Sequence, residues 1–234
     1  MRQLSETRLA DEGQLTEAGC GYTFFWIGRP ADQPRTAGVG IAIKNSVLPK
    51  LESLPKGINE RLMMLRIRLK GNQHLTFISV YAPTLTNDEL IKEQFYEELD
   101  KVIRDTPAND KLLVVGDFNA CVGSNAPNWK GVLGLHGVGK ENSNGGLLLS
   151  KCAQHQLAIT GTLFRQKEKY KTTWQHPRSK HWYLLDHILV RQCDIQDVHS
   201  TRVMRGAECW TDHRLARSKL SMRIPASKRS YISY

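Results

Sequence analysis

Apolar and polar residues alternate in several short segments of the first third of the chain, and glycine, proline or asparagine separates these segments. Alternation with a period of two is typical of β-strands that bury one face. A turn at Gly71 and Asn72 joins two of the segments, which favours a meander of antiparallel strands. The predicted strands span residues 21–27, 38–43, 61–69 and 75–81.

The pattern becomes helical between residues 87 and 104, where apolar residues recur every three or four positions and Asn87 or Asp88 can cap the first turn. An apolar strand at 111–115 follows, and a second helix is predicted at 145–156. Strands and helices in this order predict one layered α/β domain at residues 1–223, before a basic, frayed tail at 224–234. The closing strands are predicted at 157–163, 172–175, 183–190 and 214–223.

Composition limits the class of protein. Hydrophobic residues make up 40% and charged residues 24% of the 234 positions, so the chain can bury a sizeable core and is not globally disordered. No apolar run can span a bilayer and no signal-peptide pattern opens the chain, so we expect a soluble, intracellular monomer, nuclear or cytoplasmic, without a membrane partner. The five cysteines are scattered and form no CxxC pair, which favours reduced thiols over a zinc site or disulfides.

The formal net charge of +10 indicates a polyanionic partner, because a basic surface attracts nucleic acid whatever its sequence.

A carboxylate and an amide, Asp117 and Asn119, stand at the end of the apolar strand at 111–115. On an extended backbone, residues two apart point the same way, so both side chains would face one locus. The carboxylate can accept a proton from water or bind a hard cation, and the amide can orient water or a phosphate oxygen. An Asx-turn that closes the strand explains the same pair equally well.

Asp186 interrupts the otherwise apolar strand at 183–190. A buried carboxylate is costly without a partner, and a histidine ring would form the carboxylate–imidazole pair that fixes a tautomer and raises basicity. That histidine is either His213, in the Thr-Asp-His segment before the last strand, or the neighbouring His187, and periodicity does not decide between them. A strand end at which Asp186 reaches solvent is the remaining alternative.

Two further candidates rest on position alone. Tyr81 ends a strand just before Ala82 and Pro83, where its hydroxyl can face a phosphate, although a core aromatic explains it equally well. Glu6 offers a carboxylate near the N-terminus, where a surface position is the default.

Basic and aromatic side chains near these motifs are candidates for contacts with nucleic acid. A solvated surface position explains each basic residue, and core packing explains each tryptophan, at least as well. The phosphate-binding candidates are Arg61, Arg66, Arg178, Lys180 and Arg214, and the candidates for stacking on a base or wedging a groove are Trp182 and Trp210.

In this order, the motifs resemble the endonuclease/exonuclease/phosphatase superfamily, which includes apurinic endonucleases, DNase I-like nucleases and the endonucleases of non-LTR retrotransposons. The resemblance runs from Leu4 to about Arg223. The motifs on which the resemblance rests are Ser-Glu-Thr-Arg (5–8), Val-Tyr-Ala-Pro (80–83), Gly-Asp-Phe-Asn (116–119), Leu-Asp-His-Ile-Leu (185–189) and Thr-Asp-His (211–213). Segments 22–26, 142–145, 176–182 and 204–213 look in particular like retrotransposon-derived domains of the craniofacial development protein 2 group.

The resemblance implies a DNase I-like, four-layer α/β sandwich of two sheets with the site at one end. It implies an enzyme that nicks DNA by hydrolysing its phosphodiester backbone and depends on Mg²⁺, with Mn²⁺ as a substitute. Glu6 would be the principal metal ligand, and Asp212 would lie in the metal's inner or outer shell. The alternatives are a catalytically weak descendant that binds nucleic acid or protein, and a phosphatase of phosphoinositides or nucleotides.

The same resemblance assigns the catalytic roles. Asp117 would position or deprotonate the attacking water, and Asn119 and Tyr81 would contact the scissile phosphate. Asp186 would hold His213, which would stabilise the charge that develops on the phosphate in the transition state.

Two departures from the family pattern bear on activity. Family domains normally open with an asparagine-bearing strand and a helix before the strand that ends at the metal-binding glutamate, whereas only five residues precede Glu6 here. We therefore expect this opening strand and helix to be missing and a neighbouring strand to lack a partner. His187 stands where the family often has tyrosine, a change that we expect to be tolerated.

Overall fold

A six-stranded sheet forms the centre of the molecule, and a four-stranded sheet lies across one of its faces. The computed structural model describes residues 1–17, 19–207 and 211–225. Its strands are β1 (Arg2–Ser5), β2 (Glu12–Glu17), β3 (Tyr22–Ile27), β4 (Val39–Lys44), β5 (Lys56–Asn59), β6 (Leu62–Arg68), β7 (His74–Tyr81), β8 (Lys111–Asp117), β9 (Val122–Gly123), β10 (Val138–Glu141), β11 (Leu157–Ile159), β12 (Trp174–Gln175), β13 (Trp182–Tyr183), β14 (Asp186–Arg191), β15 (Val198–Met204) and β16 (Leu215–Leu220). Its helices are α1 (Glu89–Asp105) and α2 (Ser143–Gln154).

The strand order of the central sheet is β11-β14-β8-β7-β6-β5. β7 and β8 run parallel, because α1 carries the chain back between them, and the other neighbours are antiparallel. The second sheet is antiparallel, in the order β1-β4-β3-β2. Two-stranded ladders join β9 to β10, β12 to β13 and β15 to β16.

Two hydrophobic clusters lie on the two faces of the central sheet. Phe95 and Leu99 of α1 and Leu148 of α2 pack against one face, together with Ile78 and Val114 of the sheet. On the other face, alternate residues of the same strands pack against β4, so β7 and β8 are buried on both sides. The apolar runs of β7 and β8 follow from this double burial.

The predicted two-sheet α/β sandwich is confirmed, but some predicted bounds were wrong. The strand predicted at 157–163 ends at Ile159, because the chain turns into a 3₁₀ turn there and the Thr162 hydroxyl bonds the Ile159 carbonyl. The strand predicted at 183–190 is broken into β13 and β14, because the backbone N–H of Leu185 bonds the Thr173 hydroxyl.

The described residues form three layers: the helix pair, the central sheet and the four-stranded sheet. The resemblance implies four layers, and the described residues account for the two sheets and one layer of helices. β1 pairs with β4 along one edge, and no described strand pairs with its other edge. In the described part of the chain, no helix is long and apolar enough to cross a membrane.

Candidate active site

Three polar side chains stand in a row across adjacent strands of the central sheet. Tyr81 ends β7 opposite Asp117 at the end of β8, and Asp117 stands opposite Asp186 at the start of β14. Asp117 lies on the same side of β8 as Leu113 and Val115, the side that packs towards the four-stranded sheet. The register of the sheet therefore brings these three candidates together.

The glycine of the Gly-Asp-Phe-Asn motif is required by this close pairing. A Cβ at Gly116 would lie 1.9 Å from the carbonyl oxygen of Val80 on β7, so a larger residue would push the two strands apart. Asp117 thereby stays beside Tyr81.

Asn119 reaches the site through a turn and not along the strand. β8 ends at Asp117, and Asn119 has a φ of 48°, in the left-handed region, so the prediction of an extended backbone through both residues was wrong. The backbone N–H of Asn119 donates to Oδ1 of Asp117 at 2.9 Å, which is the Asx-turn, and its Nδ2 donates to the carbonyl of Ala82 at 2.9 Å. The turn fixes both side chains.

His213 is the partner of Asp186. Nδ1 of His213 lies 2.9 Å from Oδ2 of Asp186, and its Nε2 lies 3.8 Å from Oδ2 of Asp117. His187 is buried, with Nε2 2.7 Å from the carbonyl of Ala120, so it does not compete for Asp186. The bond to Asp186 assigns the proton to Nδ1, and Nε2 therefore faces Asp117.

Thr173 ties Asp186 to the His213 segment, a role that the sequence did not predict. Its hydroxyl accepts the backbone N–H groups of Leu185 and Asp186 at 3.1 and 3.2 Å. Its carbonyl accepts the N–H of Arg214 at 2.7 Å. The adjacent pair Thr172 and Thr173, both buried in a predicted strand, was the only available signal.

Trp174, the next residue, also supports the site. It forms an isolated bridge with His213, and its Nε1 donates to Oδ2 of Asp212 at 2.7 Å. Asp212 is therefore held by the indole, next to the histidine.

Glu6 joins the site from the second sheet, just after β1. Oη of Tyr81 donates to Oε1 of Glu6 at 2.6 Å, and Nη2 of Arg8 donates to Oε2 at 3.2 Å. The ring of Tyr81 is buried, as the core interpretation predicts, and its hydroxyl faces Glu6. Burial and the bond to Glu6 raise the pKa of Tyr81 above its ordinary value, which keeps this hydroxyl protonated.

Burial and nearby charges raise the pKa values of the two central groups, Asp117 and His213. Burial, followed by the nearby charge of Asp186, raises the pKa of Asp117 to about 8. Burial alone would lower the pKa of His213, but the hydrogen bond and the charge of Asp186, with smaller effects from Asp117 and Asp212, raise it to about 9. A carboxylate that can take up a proton near neutral pH thus lies beside an imidazolium that keeps its own.

The side chains fit a largely hydrated metal ion. In the described portion of the chain, no group of three or more histidine, cysteine, aspartate or glutamate side chains is arranged around one point to hold a metal. Mg²⁺ usually keeps several waters and binds one or two carboxylates. Glu6, with 43% of its side chain exposed next to the site, fits such an ion.

Arg66, one of the phosphate-binding candidates, is engaged in an ion pair within the fold. Its Nε and Nη2 donate to both oxygens of Asp110 at 2.7 and 3.0 Å, and Asp110 also accepts the hydroxyl of Thr76. These two hydrogen bonds of the Arg66 guanidinium link β6 to the loop before β8.

Four of the remaining basic and aromatic candidates lie in or beside the β12–β13 turn: Arg178, Lys180, Trp182 and Arg214. Arg178 and Lys180 are exposed in this turn. The guanidinium of Arg214 lies 3.3 Å from the ring centroid of Trp182, so this tryptophan is partly exposed and stacked, and not packed in the core. Trp210 lies outside the described residues.

The chain belongs to the Endonuclease/Exonuclease/phosphatase family, whose model matches residues 4–213. This range begins in β1 and ends at His213, so it contains every residue of the site described above. The family indicates the class of activity, that of a nuclease or phosphatase.

One curated relative and two solved structures show what this chain is similar to. Craniofacial development protein 2 of Bos taurus is 36% identical over 162 residues, which cover 69% of this chain and 27% of that protein; the chain thus spans well under half of the curated relatives that it matches. The catalytic domain of Xenopus laevis APE2 is similar in fold, with a TM-score of 0.68 and 16% identity over 97% of this chain and 85% of that one. So is the endonuclease domain of TRAS1, a telomere-specific non-LTR retrotransposon, with a TM-score of 0.60 and 15% identity over 85% of this chain and 80% of that one. At these identities the two structures show the DNase I-like fold alone.

Proposed function

We propose that this chain is a Mg²⁺-dependent endonuclease that nicks DNA by hydrolysing its phosphodiester backbone. The observation that carries the proposal is the connected set of Asp117, His213 and Asp186, which lies at the same end of the sandwich as Glu6 and Tyr81. A buried base beside an oriented imidazolium is what proton removal and charge stabilisation at a phosphate require.

The residues of the site have separate roles in hydrolysis. Asp117, once deprotonated, accepts a proton from water as the water oxygen bonds to phosphorus. The bond from phosphorus to the leaving sugar oxygen breaks, and that oxygen takes up a proton from solvent. His213 stays cationic and stabilises the negative charge that develops on the phosphate oxygens. The amide of Asn119 has a second N–H, beyond the one bonded to Ala82, for a phosphate oxygen. Tyr81 stands on the other side, and its single hydroxyl proton, now donated to Glu6, can reach a phosphate oxygen only when that bond breaks.

Glu6 would hold the metal ion. Mg²⁺ bound there supplies Lewis-acid stabilisation of phosphate charge. Glu6 is suited to this role because its carboxylate is partly exposed at the edge of the site. Asp212, bonded to Trp174, would act through water in the outer shell.

DNA is the proposed partner, with Mn²⁺ able to replace Mg²⁺. The net charge of +10 favours a polyanion. Arg178 and Lys180 are exposed in the β12–β13 turn, and Trp174 of β12 contacts Asp212 and His213. This position supports a role of both basic residues in binding phosphates that flank the site.

One observation favours a second candidate, a catalytically weak domain that only binds nucleic acid or protein. Glu6 follows β1, which pairs along one edge only among the described strands, and Tyr81 and Arg8 already bond both oxygens of Glu6. A loosely held metal ligand is expected to reduce the rate, since displacement of about 1 Å in such a site costs activity heavily.

Nicking of supercoiled plasmid by the purified chain in Mg²⁺ tests the enzyme against the binding domain. We expect nicking that EDTA abolishes and that Asp117→Ala and His213→Ala each reduce by about 10²-fold or more. Asp105→Ala, at the exposed end of α1, is the matched control and should nick like the wild type. A cooperatively folded wild-type chain that does not nick would contradict the enzyme and favour the binding domain.

A further inference from the structure

The guanidinium of Arg61, just before β6, contacts a backbone carbonyl and an aromatic ring and not a carboxylate. Its guanidinium carbon lies 5.4 Å from the centroid of the Tyr81 ring, and Nη1 donates to the Tyr81 carbonyl at 3.3 Å. The nearby acids have other partners: Glu60 pairs with Arg29 at 3.5 Å, and Glu98 accepts Nδ2 of Asn59 at 2.6 Å. Among the described residues, Arg61 makes no ion pair.

The environment of Arg61 disfavours its charge. Burial is the main cause that lowers the pKa of Arg61; Tyr81, Glu60 and Glu98 oppose it, and the neighbouring Arg29 acts in the same direction as burial. Arg66, on β6, shows the opposite arrangement, because its guanidinium donates to both oxygens of Asp110. A partly desolvated guanidinium without an acid is costly unless an anion supplies its partner, and planar guanidinium groups suit phosphate oxygens.

Arg61 is also held in a fixed position. Its backbone N–H donates to Oδ1 of Asn59 at 2.8 Å, and its carbonyl accepts the backbone N–H of Tyr81 at 3.0 Å. Because β6 lies beyond β7 in the sheet, Arg61 stands on the Tyr81 side of the site, whereas His213 stands on the β14 side. A nucleic-acid backbone that crosses the site would meet both.

We propose that Arg61 binds a backbone phosphate beside the scissile bond, while the face of its guanidinium holds the ring of Tyr81. The proposal rests on the proposed function, since it assumes that a nucleic-acid backbone enters this site. It adds a phosphate subsite on the Tyr81 side, formed by an arginine that is already desolvated and orientated before binding.

The salt dependence of DNA binding tests this subsite without catalysis. We would measure the affinity of the chain for a fluorescent duplex in EDTA at several salt concentrations. Each neutralised phosphate contributes about 0.9 to the slope of log K against log salt. We therefore expect Arg61→Gln to reduce the magnitude of the slope by about 0.9, and Arg61→Lys to keep the slope but weaken binding at fixed salt, because it loses the fork.

Arg68→Gln is the matched control. Arg68 lies at the opposite end of the same strand, 54% exposed, so this variant should keep the wild-type slope. Arg61→Gln that melts like the wild type and keeps the full slope would overturn the subsite alone. If Arg61→Gln does not fold, the Arg61→Lys variant tests the subsite instead. A reduced slope of log K against log salt despite the retained charge would overturn the subsite. Unchanged affinity at every salt concentration would also overturn it. A wild-type chain without salt-dependent binding would overturn the proposed function and, with it, this inference.

Discussion

Asp186 acts on both titrating groups of the site. It stands opposite Asp117 in the sheet and bonds Nδ1 of His213, so its charge raises the pKa of each. Like charges on facing positions of neighbouring strands are normally unfavourable. Here burial, together with this repulsion, raises the pKa of Asp117 and makes it a base near neutral pH, and the attraction keeps His213 protonated.

The pH profile of Asp186→Asn follows from this double role. In the wild type, kcat/KM should rise as Asp117 loses its proton near pH 8 and fall as His213 loses its own near pH 9. Removing the charge of Asp186 lowers both pKa values, so the whole profile should move to lower pH. The maximum rate should fall about 10- to 100-fold, because His213 loses its orientation.

Steady-state nicking rates between about pH 5 and 10 check this shift. Asp105→Asn, on the exposed end of α1, is the control and should leave both limbs in place. A profile that moves to higher pH, or in which only one limb moves, would contradict the double role of Asp186.

Single residues of the site were predictable where they broke a local pattern. Asp186 interrupts an apolar run and Asp117 ends one, and the register of the sheet then makes them neighbours. Thr173 and Trp174 were not predicted, because their bonds to Asp186 and Asp212 cross 13 and 38 positions and leave no local trace.

At the scale of elements, the first turn of α2 holds the loop that carries Asn119. Asn142 caps the helix: its Oδ1 accepts the N–H of Gly145 at 2.7 Å and that of Cys121 at 3.0 Å. Nδ2 of Asn144 then donates to the carbonyls of Asn119 and Pro83. A helix start, and not only a strand end, therefore sets the geometry of the site.

Asn142→Ala should lower the free energy of unfolding by about 1–2 kcal/mol, since it removes the cap and leaves the Cys121 N–H without this acceptor. Asn142→Asp keeps the acceptor and should lose much less. Urea denaturation measures both, with Ser150→Ala on the exposed side of α2 as a control that should stay within about 0.5 kcal/mol of the wild type. Equal losses for Asn142→Ala and Asn142→Asp would contradict the capping role.

Long elements were predictable and short ones were not. α1 and β7 show clear periodicity over 17 and 8 residues, and both were predicted within a few residues. β9 and β13 have two residues each, too few for a period, and depend on tertiary pairing. The break before β14 was hidden because Leu184 and Leu185 continue the apolar pattern through it.

At the scale of the whole molecule, the strands that cover one face of the central sheet are supported unevenly. β1 contacts β7 and β8, and β16 contacts β14, the next strand of the central sheet, but in the described residues no strand bridges β1 to β16. Val115, on the central strand β8, is partly exposed although its neighbour Val114 is fully buried. β1 is therefore held by one ladder, although it leads directly to Glu6.

Amide hydrogen exchange should reveal this uneven support. Amides of β7 and β8, paired on both sides and buried on both faces, should exchange only on global unfolding, whereas those of β1 should exchange through a smaller local opening. β4, in the same sheet but paired on both edges, is the internal control and should exchange more slowly than β1. Mass spectrometry of exchange at neutral pH measures all four strands in one experiment. Protection of β1 equal to that of β4 would contradict the single-ladder support and would mean that Glu6 is held as rigidly as Asp117.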